Sequence, residues 1–181
     1  MKKIIIGLFL MFTLVGCGTS GLLNTPTKKV EMFFSKYQSL DDDVLAQINK
    51  VASDDLSLSN DQKDEYVELM KKHYQALKYE IKDETIDGDS ATVTAEIEVM
   101  DYSKILDEAS SYRNEHEEEF LDIDNNFDES LYNKYRIEQL KKAEDTVKYN
   151  IEITLSKIDG EWVIDDIPSE VEDKIQGVYK Y

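Results

Sequence analysis

Apolar side chains recur every three or four residues along the chain from about residue 30 to residue 77. This spacing places them on one face of a helix, and it occurs in three successive stretches. Thr27 is the predicted N-cap residue of the first helix. We therefore predict three N-terminal helices, whose apolar stripes are Val30, Phe33, Phe34, Tyr37 and Leu40, then Val44, Leu45, Ile48 and Val51, and then Tyr66, Leu69, Met70, His73, Tyr74 and Leu77.

The period changes to two in two later segments. In residues 91–99, apolar side chains alternate with threonine and glutamate, which is typical of a half-buried strand. The same alternation returns in residues 147–155. Each segment adjoins a second strand across an Asp-Gly pair, Asp87-Gly88 and Asp159-Gly160, and such pairs favour tight hairpin turns. The sequence thus predicts two β-hairpins.

Helical spacing returns between the two predicted hairpins, at about residues 102–145. The polar stretch Asp122–Asn126 divides this segment, so we predict two inserted helices. The apolar stripe of the second is Phe127, Leu131 and Tyr135, continued by Leu140 and Ala143. A short helix that starts near residue 169 closes the chain.

This order of elements predicts an α+β domain. N-terminal helices should pack on one face of an antiparallel four-stranded sheet made of the two hairpins, with the helical pair inserted between the hairpins. The alternating strands agree, because an antiparallel sheet can leave its other face in water. We expect a single domain over residues 28–181.

The start of the chain has the features of an export signal. Lys2 and Lys3 precede an apolar run, Ile4–Val15, which is shorter than the ~20 residues of a membrane span. The sequence Leu14-Val15-Gly16-Cys17 follows and resembles the lipobox of bacterial lipoproteins. That resemblance implies cleavage between Gly16 and Cys17 and a diacylglyceryl group on the Cys17 thiol. An ordinary secretory signal followed by a chance cysteine is the alternative.

On the lipoprotein interpretation, residues 1–16 are a signal peptide and residues 17–27 are the lipidated cysteine and a flexible linker. The protein would then sit on the extracytoplasmic face of the cell membrane. Two or more acyl chains hold a protein stably in a bilayer, whereas one chain holds it only marginally. Cys17 is the only cysteine, so it has no partner for an internal disulfide.

Charge limits the choice of partners. The formal net charge is −18, and removal of residues 1–16 would take away two lysines and no acid, which lowers it to −20. A chain with this much negative charge is repelled by nucleic acids and by anionic lipid headgroups. We therefore expect no nucleic-acid binding and no attachment to the membrane except through the lipid. Eleven Tyr, six Phe and one Trp argue against the disorder that acidity alone could indicate.

The hairpins and the inserted helices resemble a known group of proteins. The segments YEIKDETIDGDSATVTAEIEVMDYSKIL and YNIEITLSKIDGEWVIDDI are similar to parts of small lipoproteins of Gram-positive bacteria with a nuclear-transport-factor-2-like (cystatin-like) fold. The resemblance implies that fold and an envelope location. It implies no activity and no functional residues, because its motifs are turns and strand alternation.

Candidate chemistry is sparse. The chain has no nucleophile motif, no zinc-protease motif and no phosphate-binding loop, and we expect no cofactor and no catalytic residue. There are only two histidines, too few for a convincing zinc site. His73 lies on an apolar stripe, which favours a packed residue over a general base. His116 lies among glutamates, which favours an exposed helix surface.

One acidic stretch has the spacing of a calcium-binding loop. Asp122, Asp124, Asn126 and Asp128 alternate as at the start of an EF-hand, but Phe127 stands where that loop needs glycine. The required glutamate at the loop's end is also missing. We therefore expect a solvated connection between two helices and no metal, with a weak calcium site as the alternative.

Tyr112, Tyr132 and Tyr135 lie on the inserted helices and form a candidate interaction surface, since tyrosine combines a large apolar body with a polar tip. Ordinary packing between the two helices is the alternative.

Two functions remain open. The first is a membrane-anchored, non-enzymatic module that binds an envelope protein. The second is a small-ligand binder or enzyme with a pocket between the sheet and the helices, whose lining would include Val93, Ile97, Ile151 and Ile153.

Overall fold

The periodic stretches form the elements that their spacing predicts. The computed structural model describes residues 24–180, and the α+β class with a helical pair between two hairpins is confirmed. The helices are α1 (Pro26–Ser39), α2 (Asp42–Asp54), α3 (Asn60–Ala76), α4 (Tyr102–Glu115), α5 (Glu129–Leu140) and α6 (Ser169–Ile175), with a 3-10 turn at Glu117–Phe120. The strands are β1 (Lys78–Asp87), β2 (Ser90–Met100), β3 (Thr146–Ile158) and β4 (Glu161–Ile164).

Helix α1 begins earlier than predicted. Thr25, not Thr27, is the N-cap residue, and its hydroxyl accepts a hydrogen bond from the backbone N–H of Lys28. Pro26 occupies the first helical position, where its fixed φ and missing N–H suit the helix. Thr27 instead donates from its backbone N–H and its hydroxyl to the Glu84 carboxylate on β1. The folded part of the chain therefore starts before residue 28.

The four strands form an antiparallel sheet in the order β1-β2-β3-β4. The long central strands β2 and β3 turn one face toward the helices, and the side chains on that face are buried together with aromatic residues of α1 and α3. The other face lies in water and carries ion pairs, such as those of Glu96 with Lys82 and Lys148. This arrangement follows from the alternation in the sequence. The buried strand residues are Ala91, Val93, Ala95, Ile97 and Val99 of β2 and Tyr149, Ile151, Ile153 and Leu155 of β3.

The insertion leaves the sheet at the end opposite the two hairpin turns. Ser90 pairs with Ser156 at the turn end of β2 and β3, and Met100 pairs with Thr146 at the other end, where α4 begins. Eleven residues of β2 separate the two ends, which corresponds to about 35 Å. The β1–β2 and β3–β4 turns therefore lie together at one end, and the start of α4 lies at the other.

The first described residue is bonded to the turn end. The side chain of Asn24 accepts a hydrogen bond from the backbone N–H of Trp162 and donates one to the carbonyl of Gly160. Both partners belong to the β3–β4 hairpin. The chain thus enters the domain beside β4, at the sheet end most distant from the insertion.

Strand β1 forms the edge of the sheet next to β2. Its register shifts between Ile81 and Asp83, so Lys82 is the extra residue of a bulge. From Asp83 to Asp87 the strand is exposed on both faces, and the Ile86 side chain is 51% exposed. Charged residues occupy most of its positions.

The buried residues of the inserted helix α5 share only Leu140 with the predicted stripe. It begins at Glu129, so Phe127 precedes it, and Phe127 and Leu131 are exposed. The buried positions are Asn133, Ile137 and Leu140, which are spaced at four and three residues. Asn133 is buried because its amide donates to the carbonyl and hydroxyl oxygens of Ser57, between α2 and α3. A polar residue at the start of the stripe concealed this face in the sequence.

Candidate functional site

The three tyrosines of the predicted interaction surface are brought together at the junction of α4 and α5. Tyr112 stacks on Tyr135 with ring centroids 4.9 Å apart, and on its other side it stacks on His116 at 4.2 Å. Phe120 lies edge-on to Tyr132 and Tyr135, at 5.4 and 5.6 Å. We call these five residues the aromatic cluster. Phe120 is its buried centre, and the other four rings are half-buried around it.

A hydrogen bond and partial burial raise the pKa values of two of these tyrosines. The Tyr112 hydroxyl donates to the Glu119 carboxylate at 3.0 Å, and this bond raises the pKa of Tyr112. Partial burial is the main cause that raises the pKa of Tyr135. Tyr112 and Tyr135 therefore stay neutral at physiological pH and contribute packing surface.

Two arginines extend the cluster toward the solvent. The Arg113 guanidinium lies over the rings of Phe127 and Tyr132, with its central carbon 5.8 and 5.2 Å from their centroids. Arg136 lies over the Tyr132 ring at 5.7 Å. Such cation–π contacts hold the rings in place. Neither arginine was identified from the sequence. The one available signal was that each directly follows a tyrosine, Arg113 after Tyr112 and Arg136 after Tyr135.

The stretch between the 3-10 turn and α5 forms a tight, ordered turn. One carboxylate oxygen of Asp122 accepts hydrogen bonds from the backbone N–H groups of Asp124 (2.8 Å) and Asn126 (2.9 Å). Asn125 adopts a left-handed conformation (φ 58°), and a β-bridge pairs Leu121 with Phe127. The backbone N–H of Asn126 and that of Asp124 lower the pKa of Asp122. The carboxylate therefore stabilises the turn itself.

The candidate calcium ligands occupy this turn and do different structural work. Asp122 binds backbone N–H groups, while Asp128 caps α5 by accepting from the N–H groups of Ser130 and Leu131. Across residues 24–180, no group of three or more His, Cys, Asp or Glu side chains is placed to hold a metal ion. Turn and cap formation thus account for Asp122 and Asp128.

The end of the insertion carries apolar side chains in water. We call residues 115–131 the insertion tip. The side chain of Ile123 is 99% exposed at the apex of the turn, and Phe127 and Leu131 are 49% and 43% exposed. These residues flank the aromatic cluster, because Phe127 lies against Tyr132 with ring centroids 6.0 Å apart. An exposed apolar group beside a fixed aromatic layer is typical of a binding surface.

His73 lies far from the solvent, as its place on the apolar stripe of α3 indicated. Its Nε2–H donates to the carbonyl of Ile175 on α6 at 2.8 Å, and its ring stacks on Tyr102 at 4.7 Å. Nδ1 has no hydrogen-bond partner within the described part of the chain. Burial lowers the pKa of His73 from the ordinary 6.5 to about 4. The ring is therefore neutral and joins α3 to α6.

The strand residues proposed to line a pocket belong to the core. Val93, Ile97, Ile151 and Ile153 are each at most 2% exposed and lie in one cluster with the side chains of α1, α3 and α6.

No described helix has both the length and the apolar character of a membrane span. Gly16 and Cys17 lie outside the described residues, so the lipobox stays a prediction.

Comparison with known proteins gives limited information. No protein-family model and no curated protein matches the chain. Among solved structures, the chain is similar to the crystal structure of a "putative lipoprotein (ycdA)" from Bacillus subtilis, with 17% identity and a TM-score of 0.44. The similarity covers 84% of this chain and 47% of that one, so the chain spans about half the length of that protein. The nuclear-transport-factor-2-like resemblance stays a prediction.

Proposed function

We propose that this protein is a lipid-anchored, extracytoplasmic binding module that contacts a partner in the cell envelope through its insertion tip. The observation that carries the binding role is the exposure of Ile123, Phe127 and Leu131 next to a fixed aromatic cluster. Rigid aromatic surface that is already ordered binds with little loss of conformational freedom. Tyr132 lies against Phe127, and Tyr112 and Tyr135 belong to the same half-buried aromatic cluster.

The anchor is proposed from the order of features at the chain's start. Two lysines, a short apolar run and Leu14-Val15-Gly16-Cys17 occur in the order that is typical of lipoprotein signals. A diacylglyceryl group on Cys17, together with a further acyl chain, would hold the protein on the membrane. This proposal assigns no catalytic residue and no cofactor.

Site-specific photo-crosslinking in living cells tests the binding role. A photoreactive amino acid at Phe127 should give a discrete crosslinked product with an envelope component. The same amino acid at Glu152, which is exposed on the outer face of the sheet, is the matched control and should give none. Equal crosslinking from both positions, or none from Phe127, would contradict a binding role for the tip.

The anchor is tested independently by cell fractionation. The wild-type chain should partition with membranes and carry lipid at the N-terminus of the processed protein. A wild-type chain that is processed and released without lipid would remove the anchor from the proposal but leave the binding role intact.

A further inference from the structure

The carboxylates of the insertion tip form no ion pair with a lysine or arginine of the described residues. Residues 115–131 contain eight acids and no lysine or arginine. Among residues 24–180, no lysine or arginine lies within ion-pair distance of these carboxylates, and only His116 approaches one, Glu119, at 3.9 Å. By contrast, on the outer face of the sheet Glu96 pairs with Lys148 and Glu98 pairs with Lys78. The tip therefore concentrates negative charge that no lysine or arginine of the described residues pairs with, and Arg113 lies over the Phe127 ring.

The apolar side chains at the centre of this potential are held in a fixed arrangement. The turn that presents Ile123 is closed by the hydrogen bonds of Asp122 and by the bond from the N–H of Asp128 to the carbonyl of Phe120 (2.7 Å). Phe127 is held from one side by the Arg113 guanidinium. Both features lower the entropy that binding would cost. The tip thus combines a preordered apolar centre with an acidic rim.

The position of the tip indicates which kind of partner can reach it. Asn24 bonds to the β3–β4 hairpin at the turn end of the sheet, and the insertion leaves from the opposite end, about 35 Å away along β2. If the lipid is on Cys17, seven residues before Asn24, the insertion leaves the sheet at the end farther from the anchored end of the domain. Anionic headgroups would also repel it. A second copy of this chain would bring like charges together.

We propose that the occupant of the insertion tip is a basic segment of another polypeptide, which places an aliphatic or aromatic side chain on Ile123 and Phe127 and lysines or arginines against the surrounding carboxylates. This inference rests on the proposed function and adds the chemistry of the partner. The acidic rim raises the rate of encounter and excludes acidic partners, and the apolar centre supplies most of the affinity.

Synthetic peptides test this partner class with the full chain in a non-ionic detergent. The main probe is a short amphipathic helical peptide of lysine and leucine. One comparison peptide replaces lysine with glutamate, and another replaces leucine with serine. The lysine–leucine peptide should bind most tightly by calorimetry, and its affinity should fall as salt is raised. The glutamate–leucine peptide should not bind, and the lysine–serine peptide should bind at least about tenfold more weakly.

Two variants localise the binding. The double variant Ile123→Ser and Phe127→Ser should weaken the lysine–leucine peptide by about tenfold or more, because it removes the apolar centre. Ile158→Ser is the matched control, since Ile158 is also exposed (56%) but lies beside the β3–β4 turn. Circular dichroism of all variants should remain that of the wild type. Charge reversal at Glu117 and Glu118, which cap no helix and close no turn, should weaken binding without affecting the apolar centre.

Each outcome is decisive. Equal loss in Ile158→Ser, or none in the tip variants, would overturn the inference, because binding would then not depend specifically on the apolar centre of the tip. Binding of the glutamate–leucine peptide would overturn the ionic part of it. If no peptide binds although crosslinking from Phe127 yields a partner, the basic-segment inference fails while the proposed binding role stands.

Discussion

Removal of the buried histidine should change how stability depends on pH. His73 is the junction between α3 and α6, and burial holds its pKa at about 4, against 6.5 for an exposed histidine. Between pH 4 and pH 6.5, His73 is protonated in the unfolded chain but not in the folded chain. Stability is therefore fully present above pH 6.5, falls as the pH decreases toward 4, and then levels off.

The size of this effect follows from the pKa difference. Each unit of pKa corresponds to about 1.4 kcal/mol, so the neutral His73 of the folded state lowers the free energy of unfolding by about 3 kcal/mol between pH 7 and pH 4. Structure gives the same direction, since a proton on Nδ1 would be a buried donor without a described acceptor. Other carboxylates titrate in this range, so the comparison must be with a variant.

His73→Gln is the appropriate variant, because the glutamine amide can still donate toward the Ile175 carbonyl but cannot ionise. Urea unfolding, followed through the single tryptophan, should give a wild-type stability that falls relative to His73→Gln by about 3 kcal/mol from pH 7 to pH 4. His116→Gln is the control, because that ring is half-exposed. Parallel pH profiles for wild type and His73→Gln would refute this reasoning.

Three further predictions concern Asn24, a pair of glycines and Cys17. Asn24→Ala removes two hydrogen bonds to the β3–β4 hairpin and should cost about 1–2 kcal/mol in urea unfolding; an unchanged midpoint would mean that the hairpin does not depend on them. Gly177→Ala should destabilise the fold more than Gly88→Ala. Both glycines have positive φ, but only at Gly177 would a methyl group overlap a backbone atom, the carbonyl oxygen of Met100. We expect a loss of about 1 kcal/mol in stability at Gly88 and clearly more at Gly177, and equal melting temperatures would contradict this. Cys17→Ser should yield an unprocessed or released chain with the circular dichroism of the wild type, and normal membrane attachment of this variant would contradict the proposed anchor.

Local periodicity predicted most of the fold. The three N-terminal stripes, the alternating strands and the two Asp-Gly turns each depend on residues close in sequence, and the corresponding elements form. Burial of His73 followed from the same local pattern, because a helical stripe specifies which side of the helix faces the core.

Long-range polar contacts could not be predicted in the same way. Asn133 is buried because Ser57 lies opposite it, and this pairing over 76 residues has no local signal. Leu131 is exposed for the same reason, since the buried Asn133 turns the α5 face away from it. Asn24 likewise binds a hairpin that lies 138 residues later. The grouping of the tyrosines at the α4–α5 junction was indicated by sequence, whereas the arginines that cover them required the tertiary structure.

If the chain is anchored by lipid as proposed, its bulged edge strand has a consequence at the membrane surface. Lipid-anchored copies would meet one another far more often than copies free in solution, and an open sheet edge is a template for pairing between neighbours. In β1, the extra residue Lys82 interrupts the regular hydrogen-bonding edge, and the acidic stretch from Asp83 to Asp87 repels an identical strand. This edge should therefore keep crowded copies apart and protect them from aggregation at high surface density.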